Sequence, residues 1–180
     1  MHPEVFETPL FGVWELYTKS FNDHRGAFLN AFRLQDSAFQ KVWGNRPISQ
    51  VNISRTESRG VVRGLHYQSE PNTEAKLVRC LRGSVWDVVV DLRHNSPTYG
   101  SWHSFELNSF NGRALLIPER CAHGFQVLED GSELLYIHSG PWVPESETGV
   151  RWNDPHLAVK WPLPAIGISS RDRNLPFLTI

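Results

Sequence analysis

Cysteine, net charge, long apolar runs and helical periodicity are all scarce in this chain, and each shortage removes a class of protein. Two cysteines, Cys80 and Cys121, occur among 180 residues, too few for a small scaffold held by disulfides. The opening segment MHPEVFETPLFGVWELYTKSF has no basic stretch followed by an apolar core, so it does not read as a secretory signal. Two free thiols and a cytoplasmic location are expected. The formal net charge is -1, from 18 basic and 19 acidic residues, which leaves no basic excess for a nucleic acid or an anionic membrane. No apolar run reaches the length of a membrane-spanning helix. The patterns Gly-x-Gly-x-x-Gly, Gly-x-x-x-x-Gly-Lys and Gly-x-Ser-x-Gly are absent, which removes the Gly-rich phosphate loops and the hydrolase nucleophile elbow. His-x-His is absent as well, since the residue two after His66 is Gln68. Metal-binding sandwiches usually carry that pair, so no metal is expected.

What remains is a β pattern. Short β-branched and aromatic runs cover 48–54, 60–67, 75–81, 84–92, 101–107, 113–118, 122–128 and 133–139, cut by turns such as RHNSPTYG, NSFNG and LEDGS. The clearest helix is SAFQKVW at 37–43. This predicts one all-β domain over residues 1–180, a cupin-type jelly roll with a few short helices. After Gly140 the segment PWVPESETGVRWNDPHLAVKWPLP is too irregular for strands and too apolar for a free linker, so it reads as an arm packed on the barrel. Seven tryptophans suit either sandwich walls or a site that stacks flat ligands, and composition does not separate the two.

The stretch RGVVRGLHYQSE places His66 inside an apolar strand. Alternation puts Val62, Gly64 and His66 on one face and Arg63 on the other. If Arg63 and His66 share a cavity, the strand must bulge, and Gly64 would permit it. His123 follows a proline-bearing turn between the small residues Ala122 and Gly124, and Lys76 begins a strand. Each of these alone has a bland reading: a core histidine bonded to a carbonyl, or a solvated edge charge. Cys121 and His123 lie two apart without an evident third group, which argues against nucleophilic catalysis. Phosphates would fall to arginines such as Arg25 and Arg63, whose forks match phosphate oxygens.

Taken in order, FNDHRGAF, QVNIS, GVVRGLHYQ, KLVRCLRGSVWDVVVDLR, SPTYGSW, IPERCAHGFQVLED, ELLY, GVRWNDPHLAVKWP and SSRD resemble the blocks of the RmlC family, the dTDP-4-dehydrorhamnose 3,5-epimerases. They span roughly residues 20 to 173. The resemblance implies a jelly-roll homodimer with exchanged N-terminal strands, no metal or organic cofactor, and a nucleotide-sugar substrate. It implies His66 as base, Asp172 as its carboxylate partner, Tyr136 as proton donor and Lys76 as a further catalytic group. Arg25, Asn30, Gln50, Val51, Asn52, Arg63, His123, Trp142, Glu147 and Arg171 would contact substrate. Two positions depart from the family's pattern: Asn30 stands where a glutamate is usual and Trp142 where a tyrosine is usual. An amide donates as well as accepts, which leaves the base of the nucleotide open, and a lost hydroxyl beside the sugar leaves open which carbons are inverted.

The chemistry suits these residue types. A C4 ketone acidifies the hydrogens at C3 and C5; a carboxylate-oriented imidazole can remove one, a cation can hold the enolate oxygen, and a phenol on the far side can return a proton. The expected function is inversion at C3 and/or C5 of a nucleotide-linked 4-keto-6-deoxy sugar, with dTDP-4-dehydro-6-deoxyglucose as the leading substrate. Alternatives are a C3- or C5-only epimerase on a dTDP-, CDP- or GDP-linked sugar, a 3,4-ketoisomerase, a non-catalytic sugar-binding jelly roll and a metal-dependent cupin oxygenase.

Overall fold

The computed structural model describes residues 2–179. Six strands form one antiparallel sheet in the order β1 (Glu4–Glu7), β2 (Trp14–Tyr17), β10 (Arg113–Ile117), β7 (Lys76–Arg82), β12 (Ser132–His138) and β5 (Gln50–Thr56). Five form a second, in the order β13 (Glu147–Gly149), β6 (Val62–Gln68), β11 (Cys121–Val127), β8 (Ser84–Asp91) and β9 (Trp102–Asn108). A separate hairpin joins β3 (Phe21–Asp23) to β4 (Gly26–Phe28). The two larger sheets pack face to face as a cupin-type jelly roll. The eight strands expected from residue 48 onward are present within two residues at each end. The residue pattern shows neither the four N-terminal strands, which only the family resemblance implied, nor β13; each has only three or four residues, too few for alternation to show.

The apolar core lies between the sheets. Val78, Cys80, Leu115, Ile117 and Leu134 from one meet Val85, Val89, Phe105, Leu107, Phe125 and Val127 from the other. The outer face of the six-stranded sheet is covered by α1 (Ser37–Trp43), which spans the residues predicted. Asp36 caps it by accepting from the backbone N–H groups of Ala38 and Phe39, an arrangement worth about 1 kcal/mol. Phe39, Val42 and Trp43 then fall on one side and pack on Leu16, Leu77, Leu116 and Ile137. Each buried side chain of this size contributes roughly 1.5–3 kcal/mol.

Residues after Gly140 run over the outer face of the five-stranded sheet. Val150, Leu157 and Leu178 cover Leu65, Val88, Val90 and Ala122, with Trp86, Trp102 and Trp161 packed against them. This cover explains why β11 is buried at every position: both faces of that central strand are roofed. It also accounts for much of the tryptophan content, since these three rings pack edge to face at 5.6–6.0 Å. The arm is less irregular than its sequence suggested, because β13 pairs Glu147, Thr148 and Gly149 with Gln68, Tyr67 and His66.

Strand register sets where the sandwich stops being a packed core. Along β12, Leu134 lies opposite Ser54 and Cys80, Tyr136 opposite Asn52 and Val78, and His138 opposite Gln50 and Lys76. Two residues per step, one face passes from apolar floor to polar wall. In the other sheet His123 lies opposite His66 and Val89, and Phe125 opposite Arg63 and Asp87.

Candidate active site

Above that floor the sheets enclose a cavity of about 610 Å³, within the range of about 300–1,000 Å³ usual for small-molecule sites. Arg63, His66 and His123 line it from the five-stranded sheet, and Gln50, Asn52, Lys76 and Tyr136 from the six-stranded one. Trp142, Glu147, Arg171 and Asp172 close it from the arm.

Arg63 and His66 share the cavity because β6 bulges. Three steps along β6, from Arg63 to His66, span two along β11, from Phe125 to His123. Gly64 sits at the bulge with φ +126°, and a Cβ there would lie 2.5 Å from the Cα of Gly124. Only a residue without a side chain permits both that conformation and that approach.

The imidazole of His66 is braced from the arm. Ser169 caps α2 (Ser170–Arg173) by accepting from the Asp172 N–H, which places Asp172 in the first turn. Its Oδ1 lies 2.8 Å from His66 Nε2, and its Oδ2 accepts from the Gly64 N–H at 3.2 Å. Burial pushes the Asp172 carboxyl up, but the His66 hydrogen bond and charge and the Gly64 N–H outweigh it and hold the carboxyl below its ordinary value. An ionised carboxylate only accepts, so the proton sits on Nε2 and the lone pair on Nδ1 is left for substrate.

Further polar groups line the cavity around the ring. His123 Nε2 lies 2.7 Å from Oδ2 of Asp87, a wholly buried carboxyl whose pKa is raised by burial and only partly restored by His123. Tyr136 stands edge-on to His123 at 5.8 Å and stacks on His138, also at 5.8 Å. Burial, reinforced by the Asp87 charge and opposed by Arg63, pushes the Tyr136 phenol far above its ordinary value, so it keeps its proton until a strong base asks for it. Lys76 Nζ lies 3.3 Å from Oε1 of Glu74, and Glu74 Oε2 lies 2.9 Å from His138 Nδ1.

At the mouth, Arg171 holds Glu147 with two hydrogen bonds of 2.9 and 2.5 Å, and the Trp142 indole N–H donates to the same carboxylate at 2.7 Å. Gln68 anchors this edge: its amide donates to the carbonyls of Asn72 and Pro141 and accepts from the Val143 N–H.

Arg25, Asn30 and Val51 lie outside this cavity in the chain described. Arg25 is on the β3–β4 hairpin, 78 % exposed and paired with Asp23 at 2.6 Å. Asn30 faces a small separate recess beside Thr18, Phe32 and Arg79. Val51 is an outward residue of β5, because alternation turns its neighbours Gln50 and Asn52 inward. Asp87, Glu74 and His138 were not singled out from the sequence; a carboxylate within the apolar run SVWDVVVD was the visible signal for Asp87. Cys80 and Cys121 are free and buried. Burial, its main cause, pushes both thiols up to about 12, unsuited to nucleophilic work.

A jelly roll whose cavity sets a carboxylate-braced imidazole on one sheet and a protonated phenol on the facing sheet is an architecture for moving protons on a bound small molecule, the isomerase class of enzyme. The chain belongs to the dTDP-4-dehydrorhamnose 3,5-epimerase family, whose model matches residues 7–179. It is 44% identical over 156 residues to the dTDP-4-dehydrorhamnose 3,5-epimerase of Pseudomonas aeruginosa, covering 86% of this chain and 84% of that one. It is 40% identical over 163 residues to a dTDP-4-dehydrorhamnose 3-epimerase of Streptomyces niveus, covering 91% and 78%. Among solved structures, dTDP-6-deoxy-D-glucose-3,5-epimerase from Legionella pneumophila in complex with dTDP-4-keto-L-rhamnose superposes with a TM-score of 0.91 at 36% identity, covering 98% of this chain and 93% of that one. No helix among the described residues is long and apolar enough to cross a membrane.

Proposed function

We propose that this enzyme inverts C3 and C5 of dTDP-4-dehydro-6-deoxyglucose, giving dTDP-4-dehydrorhamnose through an enolate. His66 Nδ1 takes the proton from the carbon beside the ketone; the C–H electron pair moves into the enolate, with charge on O4. Lys76 stands beside that oxygen, where one preorganised donor is worth about 3–4 kcal/mol. Asp172 balances the imidazolium. Tyr136 returns a proton to the opposite face of the carbon, and inversion results. Arg63, Gln50, Asn52 and His123, with Trp142, Glu147 and Arg171 at the mouth, hold the remainder of the nucleotide sugar.

The observation that carries this reading is the placement of His66 with Asp172 and of Tyr136 on facing sheets of one cavity. Incubation in heavy water with dTDP-, CDP- and GDP-linked 4-keto-6-deoxy sugars tests it. Deuterium at C3 and C5 of the dTDP sugar, with the ketone still at C4, is the expected result. A ketone moved to C3, or binding without deuterium uptake, overturns it. A C3-only reaction is the second reading, favoured by Trp142, whose indole N–H is engaged by Glu147 where the family's pattern has a hydroxyl.

A cytoplasmic homodimer belongs to the same proposal. Val51 and Ile53 on the edge strand β5 are 56% and 52% exposed, and Phe28 on the β3–β4 hairpin is 65% exposed, an apolar surface suited to a second copy. In such a dimer Arg25 and Asn30 of each copy complete the other's nucleotide site.

A further inference from the structure

Glu74 is buried, charged and unused by the reaction described above. It lies just before β7, and its carboxylate is divided between two cavity-lining side chains. Oε1 lies 3.3 Å from Lys76 Nζ and Oε2 lies 2.9 Å from His138 Nδ1. All three side chains are at most a tenth exposed, where a lone carboxylate would be costly and a shared one is held firmly. Register places His138 directly opposite Lys76 on one side and Gln50 on the other, so the pair lies on one rung of the wall. The Lys76 ammonium also reaches the His66 carbonyl oxygen at 3.5 Å, which links this rung to the strand of the base.

A carboxylate accepts and cannot donate, so the proton of the His138 ring sits on Nδ1. Nε2 is then an acceptor, and in the free protein it takes only a long hydrogen bond of 3.5 Å from the Asn52 amide nitrogen. We propose that Glu74 is a positioning residue that locks the Lys76 ammonium and the His138 ring into one unit, and that His138 Nε2 exchanges its long contact with Asn52 for a hydrogen bond from a hydroxyl of the bound sugar nucleotide. The inference rests on the reading of Lys76 as the cation at the enolate oxygen. It adds to His66 and His123 a third carboxylate-braced imidazole, on the wall facing His66 and used for recognition in place of proton removal.

Glu74→Gln keeps the size and an accepting oxygen but removes the charge. It should lower kcat about 10- to 100-fold through a misplaced ammonium, with KM within about 3-fold and Tm nearly unchanged. His138→Phe keeps the stacking on Tyr136 and should raise KM about 5- to 10-fold with kcat largely kept. The double variant should lose less than the product of the two, since the groups act as a unit. Glu74→Asp replaces Glu74→Gln if the latter does not fold, and should lose kcat in the same way because its carboxylate cannot span both partners. An unchanged kcat, or losses in kcat and KM that follow a fallen Tm, overturns the proposal. Long-range ¹H–¹⁵N spectra of the free protein give a readout that needs no activity. The His138 proton on Nδ1 in the wild type, and a mixed tautomer in Glu74→Gln, supports the lock; a proton on Nε2, or an unchanged ring in the variant, overturns it. A wild type without deuterium exchange but with these spectra would refute the proposed reaction and leave the lock standing.

Discussion

The two walls of the cavity solve opposite problems. On the five-stranded sheet, His66 and His123 are each bonded to a carboxylate, Asp172 and Asp87. On the six-stranded sheet, Tyr136 has aromatic neighbours and a surrounding that pushes its phenol upward by burial. A base has to present a lone pair to the substrate, and a bonded carboxylate fixes which ring nitrogen carries the proton. An acid has to retain its proton until a carbanion forms, and desolvation penalises its anionic form. One barrel supplies both environments because one sheet is roofed by the arm that delivers Asp172, while the other brings its phenol down to the edge of the apolar floor.

The sharpest way to break this comparison is to remove the proposed base. His66→Asn should reduce deuterium incorporation from solvent by about 100- to 10,000-fold, measured by NMR on the sugar. Full exchange in that variant would move the base elsewhere. Gly64→Ala attacks the bulge that brings Arg63 and His66 together. The added Cβ meets Gly124 at 2.5 Å and the positive φ disfavours it, so a loss of about 2–3 kcal/mol is expected, or roughly 5–10 °C in Tm for a chain of this size, seen by differential scanning calorimetry. Tyr136→Phe should split the walls: wash-out of the substrate proton continues while inversion falls about 10- to 100-fold, read as exchange without product. Equal loss of both would deny Tyr136 the role of donor.

A smaller effect is expected at the mouth. Trp142→Phe removes one donor to Glu147 but leaves the Arg171 pair, and KM should rise about 2- to 5-fold in steady-state kinetics. The smallest effect is in the pH dependence of stability. Asp172 has a folded-state pKa below its ordinary value, so its contribution is present above about pH 4 and is lost as pH falls through the depressed value. The Tm difference between wild type and Asp172→Asn should therefore narrow below about pH 4 and stay constant above it.

Most of the architecture was legible before any coordinates. The run SVWDVVVDL reads as a strand and Ser37–Trp43 as a short helix, because hydrophobic periodicity is local. Strands β1 to β4 and β13 were not legible, since three or four residues cannot display a period and their partners lie far along the chain. Among the site residues, His66, Lys76, His123 and Tyr136 stood in motifs that a resemblance to a known family could pick out. Glu74 and His138 stood in no motif, and only their separation of 2.9 Å marks them as a pair.

By itself the chain determined the strands β5 to β12, the helix α1 and a glycine able to bulge, which follow from side-chain chemistry and spacing, while the groups able to move protons were named through the family resemblance. Tertiary structure alone decided which nitrogen of His66 is free, which carboxylates brace His123 and His138, and that Arg63 and His66 look into the same space. Those outcomes depend on hydrogen bonds between residues as much as 106 positions apart, and a distance through space has no local trace in sequence.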